Sequence, residues 1–377
     1  MSIPFYKPFY DKQDERMLIS ALRSGHIIGD GEHTRLASDH LAKLLNVKTV
    51  LLTPSCTHAL ELAMMVLNLA DGDEVIIPSF TFVSTANCVM RQGARVVFAD
   101  IVPTTLTLDI NDVQRKITSR TKAIIPVVYA GVPVEMDELI RLARDREIAV
   151  VEDAAQAIGA TYRGRPLGTL GDIGCFSFHE TKNITTGEGG AFVTNDQEYA
   201  SRAEIIREKG TNRRQFLLGH VDKYTWITPG SSYLPSDLTG ALLLSQLEKL
   251  TSVGNRREGI HQRYMQELAP LAYKGSITLP TIPPHVQSNY HIFYVLMSDE
   301  ATRNRALSFF KSKRIGTTFH YLPLHLSTVG TERLGYKVGD FPVTESVSSR
   351  LLRLPIYPSL TDEEQTFIIQ TMKEFFT

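Results

Sequence analysis

Ile148-Ala149-Val150-Val151-Glu152-Asp153-Ala154-Ala155-Gln156 is the stretch that decides the fold. A short run of β-branched residues without polar alternation reads as a strand buried on both faces, which is the signature of a parallel sheet covered by helices. The run ends in two acids and then in small residues. An acid at the carboxyl end of a buried strand, followed by Ala154 and Ala155, permits a flat ligand to approach the backbone. A plain helix N-cap by Asp153 is the other reading of the same motif.

Working outward, strand-like pieces recur at Thr49–Leu52, Glu74–Ile77, Arg95–Ala99, Ala123–Val128, Gly174–Phe178 and Gly190–Thr194. Helical patterns lie between them at Ala59–Leu69, Val83–Gln92, Asn111–Ile117 and Met136–Arg146. This alternation predicts an α/β domain, with a mainly parallel seven-stranded sheet between helices. After Tyr199 the pattern becomes helical, with a long segment from Ser236 to about Leu271 that Gly254 interrupts. From Ser288 it is mixed: a strand at Ile292–Met297, a helix at Thr302–Lys311, a strand at Gly316–Phe319, and helices at Thr344–Leu352 and Thr361–Phe376. The expected organisation is a large domain over residues 1–250, which includes an N-terminal arm and helix, and a smaller C-terminal α+β domain over 251–377.

Composition narrows the function. The 377 residues carry 40 Lys+Arg against 41 Asp+Glu, without a basic stripe, which argues against a nucleic-acid partner. No apolar run approaches the roughly 18 residues of a membrane span. The N-terminus lacks a secretory pattern, so a cytoplasmic location is the default. Cys56, Cys88 and Cys175 show no C-x-x-C pairing and read as small buried hydrophobes; no metal site is expected.

In open parallel sheets, ligands sit beyond the carboxyl ends of the strands. Thr53-Pro54-Ser55-Cys56-Thr57-His58 follows the first strand and leads into a helix, giving either an anion site suited to a phosphate or an ordinary cap by Ser55 or Thr57. Twenty-nine residues after Asp153 stands Lys182, in Phe176-Ser177-Phe178-His179-Glu180-Thr181-Lys182-Asn183, just before the Gly-rich Gly187-Glu188-Gly189-Gly190. A lysine in packed surroundings has a depressed pKa and a nucleophilic amine. A phosphate turn, an acid and a lysine at one sheet edge are the elements that hold pyridoxal 5′-phosphate (PLP). The lysine forms the Schiff base, and the acid keeps the pyridine nitrogen protonated.

These strings, together with Thr81-Phe82-Val83-Ser84-Thr85-Ala86-Asn87 and Pro323-Leu324-His325, resemble the DegT/DnrJ/StrS family of nucleotide-sugar aminotransferases over essentially the whole chain. The resemblance implies a PLP-dependent transferase fold of the aspartate-aminotransferase type, built as a homodimer with sites at the subunit interface. It implies Lys182 as Schiff-base lysine and proton shuttle, Asp153 on the pyridinium nitrogen, Gln156 on the phenolic oxygen and Phe82 on the ring face. Cys56, Thr57 and Ser177 would hold the phosphate. His320, His325, Arg207 and Arg213 are the candidate substrate residues, with Lys209 beside them able to offset diphosphate charge.

Two positions depart from the family pattern. Ser232, in Gly230-Ser231-Ser232-Tyr233-Leu234, stands where many relatives carry an Asn that reaches the neighbouring subunit's cofactor phosphate, and Cys56-Thr57 replaces the usual Gly-Thr of the turn. The narrower resemblance is to members that make the amino sugar of enterobacterial common antigen. It implies transfer from L-glutamate to the C4 ketone of dTDP-4-keto-6-deoxy-D-glucose, giving dTDP-4-amino-4,6-dideoxy-D-galactose and 2-oxoglutarate. Sister activities on 3-keto or UDP-linked sugars remain open. The family's dehydratases carry a histidine where Lys182 stands, which argues against dehydration. A Rossmann binder would show G-x-G-x-x-G after the first strand, and none is present.

Overall fold

Seven β-branched runs, too apolar to face water on either side, assemble into the central sheet of the computed structural model, which describes residues 2–377. In chain order the strands are β1 (Thr49–Thr53), β2 (Glu74–Pro78), β3 (Arg95–Ala99), β4 (Thr121–Ile124), β5 (Ala149–Ala154), the short hairpin β6 (Thr161–Tyr162) and β7 (Arg165–Pro166), β8 (Ile173–Ser177) and β9 (Gly190–Thr194). The sheet order is β1-β9-β8-β5-β4-β2-β3. Pairs from β8 to β3 are parallel, and β9 runs antiparallel to both β8 and β1. The mainly parallel seven-stranded sheet is therefore as the sequence predicts.

Alternate residues along each strand enter different cores. Ile76, Ile124 and Val150 belong to one buried cluster. Val75, Ile77, Ala123 and Val151 belong to another. Helices α1 (Lys12–Arg23), α2 (Glu32–Leu45), α3 (Cys56–Leu67), α4 (Val83–Met90), α5 (Ile110–Lys116), α6 (Met136–Arg144), α7 (Gln197–Arg207), α8 (Arg213–Leu217) and α9 (Asp237–Leu247) complete this part of the chain.

Then follow α10 (Leu250–Tyr273), β10 (Ile277–Thr278), β11 (Val286–Gln287), β12 (Phe293–Met297), α11 (Glu300–Ser312), α12 (Pro342–Arg350), β13 (Leu351–Leu354) and α13 (Asp362–Phe375). Strand β12 lies between β10 and β13, and both pairings are antiparallel. The long helical segment breaks at Glu248-Lys249, between α9 and α10, and not at Gly254, which is interior to α10. Gly254 and Gly259 inside a 24-residue helix are a tolerable cost. Lys249 instead turns to bind Asp11 at 2.7 Å and Asp14 at 2.6 Å. Two other expectations are corrected. Leu351–Leu354 is a strand where the helix was expected to continue, and Gly316–Phe319 forms only an isolated bridge from Thr318 to Arg353. Ile3 pairs with Ile315, drawing the N-terminal arm into the cluster built around Ile260, Phe293 and Ile368.

Candidate active site

The turn after β1 is shaped by its own hydroxyls. Thr53 Oγ1 donates to the Ser55 carbonyl at 2.8 Å, and Ser55 caps α3 by accepting from the His58 amide. Thr57 Oγ1 and Ser84 Oγ lie 2.8 Å apart. First-turn amides of a helix have no intrahelical acceptors, and they converge here beside hydroxyls, which suits a phosphate. Strand β9 presses against this turn through Gly190. A Cβ there would lie 2.4 Å from the Ser55 carbonyl carbon and 2.5 Å from the Cys56 nitrogen, so only glycine permits the approach.

Glu152 and Asp153 leave β5 on opposite sides of the sheet. Glu152 is fully buried and accepts from the amides of Gly168, Leu170 and Gly171 at 2.6–2.7 Å, fastening a loop. Asp153 accepts from Thr85 Oγ1 at 2.8 Å and from the Ala155 amide at 3.2 Å. Burial pushes the Asp153 carboxyl above its ordinary range, against these hydrogen bonds and the charge of Lys182. A cationic ring nitrogen would be its natural complement.

Lys182 rides on the segment between the antiparallel neighbours β8 and β9, which returns the chain to the same sheet end. Burial lowers its amine below the usual lysine value, while Asp153 opposes the shift. His179, beside it, shares a 3.0 Å contact between Nδ1 and Thr181 Oγ1.

One cavity of about 310 Å³ brings Cys56, Thr57, Phe82, Asp153, Gln156, Ser177, Lys182 and His320 together. Gln156 Oε1 accepts from the Ala130 amide, and its Nε2 donates to Tyr321. The donor set fits PLP. The α3 amides suit the phosphate, Asp153 suits the ring nitrogen, Lys182 suits the aldehyde, and the exposed ring of Phe82 at the mouth suits stacking. Among the described residues, no group of three His, Cys, Asp or Glu is placed to hold a metal ion.

Four candidates lie outside this cavity. His325 is buried, with Nδ1 2.7 Å from Ser79 Oγ and Nε2 3.1 Å from Glu345; although this reads like a catalytic triad, Ser79 is wholly buried and no substrate reaches it. Arg207 is also buried, and its guanidinium binds the Leu52 carbonyl and both oxygens of Asp30. Neither of these two candidate substrate residues lines this chain's cavity, and both side chains are taken up by these contacts. Arg213 is partly exposed near Glu208, and Ser232 pairs with Glu208 through the backbone.

Several residues escape the sequence reading: Thr85, buried behind Asp153, and the lining residues His291, Tyr321, Arg257 and Arg353 from the C-terminal part of the chain. Burial, with Lys182 and Arg353 adding to it, pushes both His291 and His320 well below the ordinary histidine value, so both are neutral at pH 7.

The model of the DegT/DnrJ/EryC1/StrS aminotransferase family matches residues 8–373. The chain is 33% identical to the spore coat polysaccharide biosynthesis protein SpsC of Bacillus subtilis, over 99% of this chain and 96% of that protein. It superimposes with a TM-score of 0.92 on Spr1654 of Streptococcus pneumoniae, assigned as a sugar aminotransferase, at 29% identity over 100% and 98% of the two chains. That protein is solved in both PMP and PLP forms. PseC of Helicobacter pylori, an aminotransferase of pseudaminic acid biosynthesis, gives 0.91 at 26% identity over 100% and 99%. With its lysine, its buried aspartate and its phosphate turn on one sheet edge, the chain belongs to the DegT/DnrJ/EryC1/StrS family and is a PLP-dependent sugar aminotransferase.

Proposed function

We propose that the enzyme moves the amino group of L-glutamate to the C4 ketone of dTDP-4-keto-6-deoxy-D-glucose, giving dTDP-4-amino-4,6-dideoxy-D-galactose and 2-oxoglutarate. The observation that carries the transaminase reading is Lys182, its amine depressed by burial, in the same cavity as the buried Asp153. The sugar and nucleotide rest on the narrower resemblance of stretches such as Ile205–Arg213 and Val221–Trp226.

When bound, PLP supplies an electron sink for charge at the carbon under reaction. Asp153 sustains that sink by holding a carboxylate against the ring nitrogen. Lys182 Nζ takes the proton from the carbon bearing the donor's amino group in one half-reaction, and delivers a proton to C4 of the sugar in the other. Phe5 and Tyr6 of the N-terminal arm line the cavity, and Tyr6 donates to Glu180 at 2.5 Å.

The working unit in this reading is a homodimer. Leu217, Leu218, Trp226 and Ile227 are more than half exposed on the segment that carries Arg213, an apolar surface suited to a second copy. Ser232 and Arg213 would then serve the neighbouring subunit's site. The test is incubation of the purified protein and glutamate with dTDP-4-keto-6-deoxyglucose, its UDP counterpart and the 3-keto isomer. Amination at C4 of the dTDP sugar is expected; preference for either alternative refutes the substrate assignment. Lys182→Ala must abolish turnover and the yellow colour that borohydride bleaches.

A further inference from the structure

Among the described residues, no group hydrogen-bonds the amine of Lys182, and its backbone amide donates to the His179 carbonyl at 2.9 Å. The next residue, Asn183, is buried, and both ends of its side chain are engaged by segment 288–291, between β11 and β12. Its Nδ2 donates to the Asn289 carbonyl at 2.7 Å, and its Oδ1 lies 2.9 Å from Nδ1 of His291. A carbonyl only accepts, so the amide nitrogen of Asn183 faces Asn289 and its oxygen faces His291. An amide oxygen also only accepts, so Nδ1 of His291 carries the ring proton. The imidazole is neutral, which leaves Nε2 unprotonated and outside these bonds.

The segment that grips Asn183 is itself fastened on other sides. Ser288 Oγ donates to the Ala130 carbonyl and accepts from the Tyr290 amide, both at 3.0 Å. Asn289 Nδ2 donates to the carbonyls of Gln156 and Ile158, both at 2.9 Å, and its Oδ1 accepts from the His291 amide at 3.2 Å. Arg257 Nη1 donates to the carbonyls of Tyr290 at 3.3 Å and His291 at 3.1 Å. Tyr290 takes a φ of +54°, a left-handed conformation that a tyrosine keeps only where its surroundings fix it. A buried network in which every side chain finds its partners is rigid and directional. A reacting amine needs such a mount, because a misplacement of about 1 Å costs about 100-fold in rate.

We infer that His291 is a positioning residue: through Asn183 it sets the place of the Lys182 amine, and that bond, not a contact of its own with substrate, is what the reaction needs. The inference rests on the reading of Lys182 as the lysine that binds PLP and moves the proton. It adds how the C-terminal part of the chain reaches that lysine. His291 lines the cavity, so a direct role for its Nε2 is the rival that the experiment must separate.

The experiment compares His291→Phe, His291→Asn, Asn183→Ala and the double variant His291→Phe with Asn183→Ala, each as apoprotein and as holoenzyme. His291→Phe keeps a ring and removes the Nδ1 donor. It is expected to slow capture of PLP by the apoprotein, followed as growth of the borohydride-bleachable band, about 30-fold. Its kcat with glutamate and dTDP-4-keto-6-deoxyglucose should fall by a similar factor, while both KM values change less than about threefold. Asn183→Ala should match it, and the double variant should be no slower than either single, because both remove one interaction. His291→Asn places an amide nitrogen near the position of Nδ1 and nothing at Nε2, so it should recover most of both rates. If Asn183→Ala does not fold, the contrast between His291→Asn and His291→Phe decides alone. The inference is overturned if His291→Asn is as slow as His291→Phe, which would assign Nε2 a direct contact, or if the two single effects multiply in the double variant. It falls also if His291→Phe loses stability alone, with capture and kcat unchanged. Any of these results in an enzyme that keeps its bleachable band leaves the reading of Lys182 standing; a wild type without that band removes the reading itself.

Discussion

Thr85 Oγ1 donates a 2.8 Å hydrogen bond to Asp153 Oδ2 inside the cavity wall. This contact partly offsets burial, which still leaves the Asp153 carboxyl with a raised pKa. A carboxyl whose folded pKa exceeds its unfolded value binds its proton more tightly in the folded chain. Its ionisation therefore lowers stability as pH rises above the ordinary aspartate range. The cofactor-free Asp153→Asn protein should be more stable than wild type at pH 7 and similar to it at pH 3. Its PLP affinity should fall about 100-fold, because the ring nitrogen loses its counter-charge. Thermal melts with and without cofactor check both, and undiminished PLP binding would sink the assignment.

Gly190→Ala should damage the phosphate turn directly. The added carbon meets backbone atoms of Ser55 and Cys56, which cannot step aside as a side chain can. A loss of about 2–4 kcal/mol is expected in denaturant titrations, along with weaker cofactor retention. At Gly189 the added carbon meets mainly the rotatable Thr186 hydroxyl, so Gly189→Ala should cost less.

Ser79→Ala tests whether the Ser79-His325-Glu345 cluster is structural. It should cost about 1–2 kcal/mol of stability, through the lost partner of a buried imidazole, and leave turnover of both substrates unchanged. A large fall in kcat at full stability would return the cluster to the catalytic machinery.

The contrast between His325 and His320 marks where the sequence is legible. Asp153, Lys182 and the Ser55–Thr57 turn are local signals, each set by the strand that precedes it, and the cavity unites them. Whether a polar residue is free or consumed depends on distant partners. Arg207 is taken by Asp30 and Leu52, and His325 by Ser79 and Glu345, pairings that no periodicity announces. Arg257 and Arg353 are hidden for the same reason. They stand on α10 and β13, and only packing turns them toward Lys182. The helix break at Lys249 likewise depends on Asp11 and Asp14, more than 230 positions away.

His261 supplies a pH test. Burial against Tyr290 and Phe293 lowers its pKa to about 4. The unfolded chain then binds more protons below the ordinary histidine value of about 6.5. Its contribution to stability is full above that pH and is lost as pH falls from about 6.5 toward 4, by at most about 3 kcal/mol. His291 and His320 act in the same direction. His261→Phe should flatten part of the acid limb in denaturation curves from pH 7 to 4, and an unaltered slope would refute the account.

The antiparallel strand β9 also sets a timetable for biosynthesis. It joins β1, residues 49–53, to residues 190–194, while Gly190 backs the turn at Ser55 and Cys56. The turn at Ser55 and Cys56 is translated early yet lacks this backing until the chain beyond Thr194 has left the ribosome. Non-local pairings of this kind close slowly. Cofactor capture is therefore expected late in the life of each nascent chain, and a truncation before β9 is expected to keep the lysine and the aspartate yet to hold the cofactor poorly.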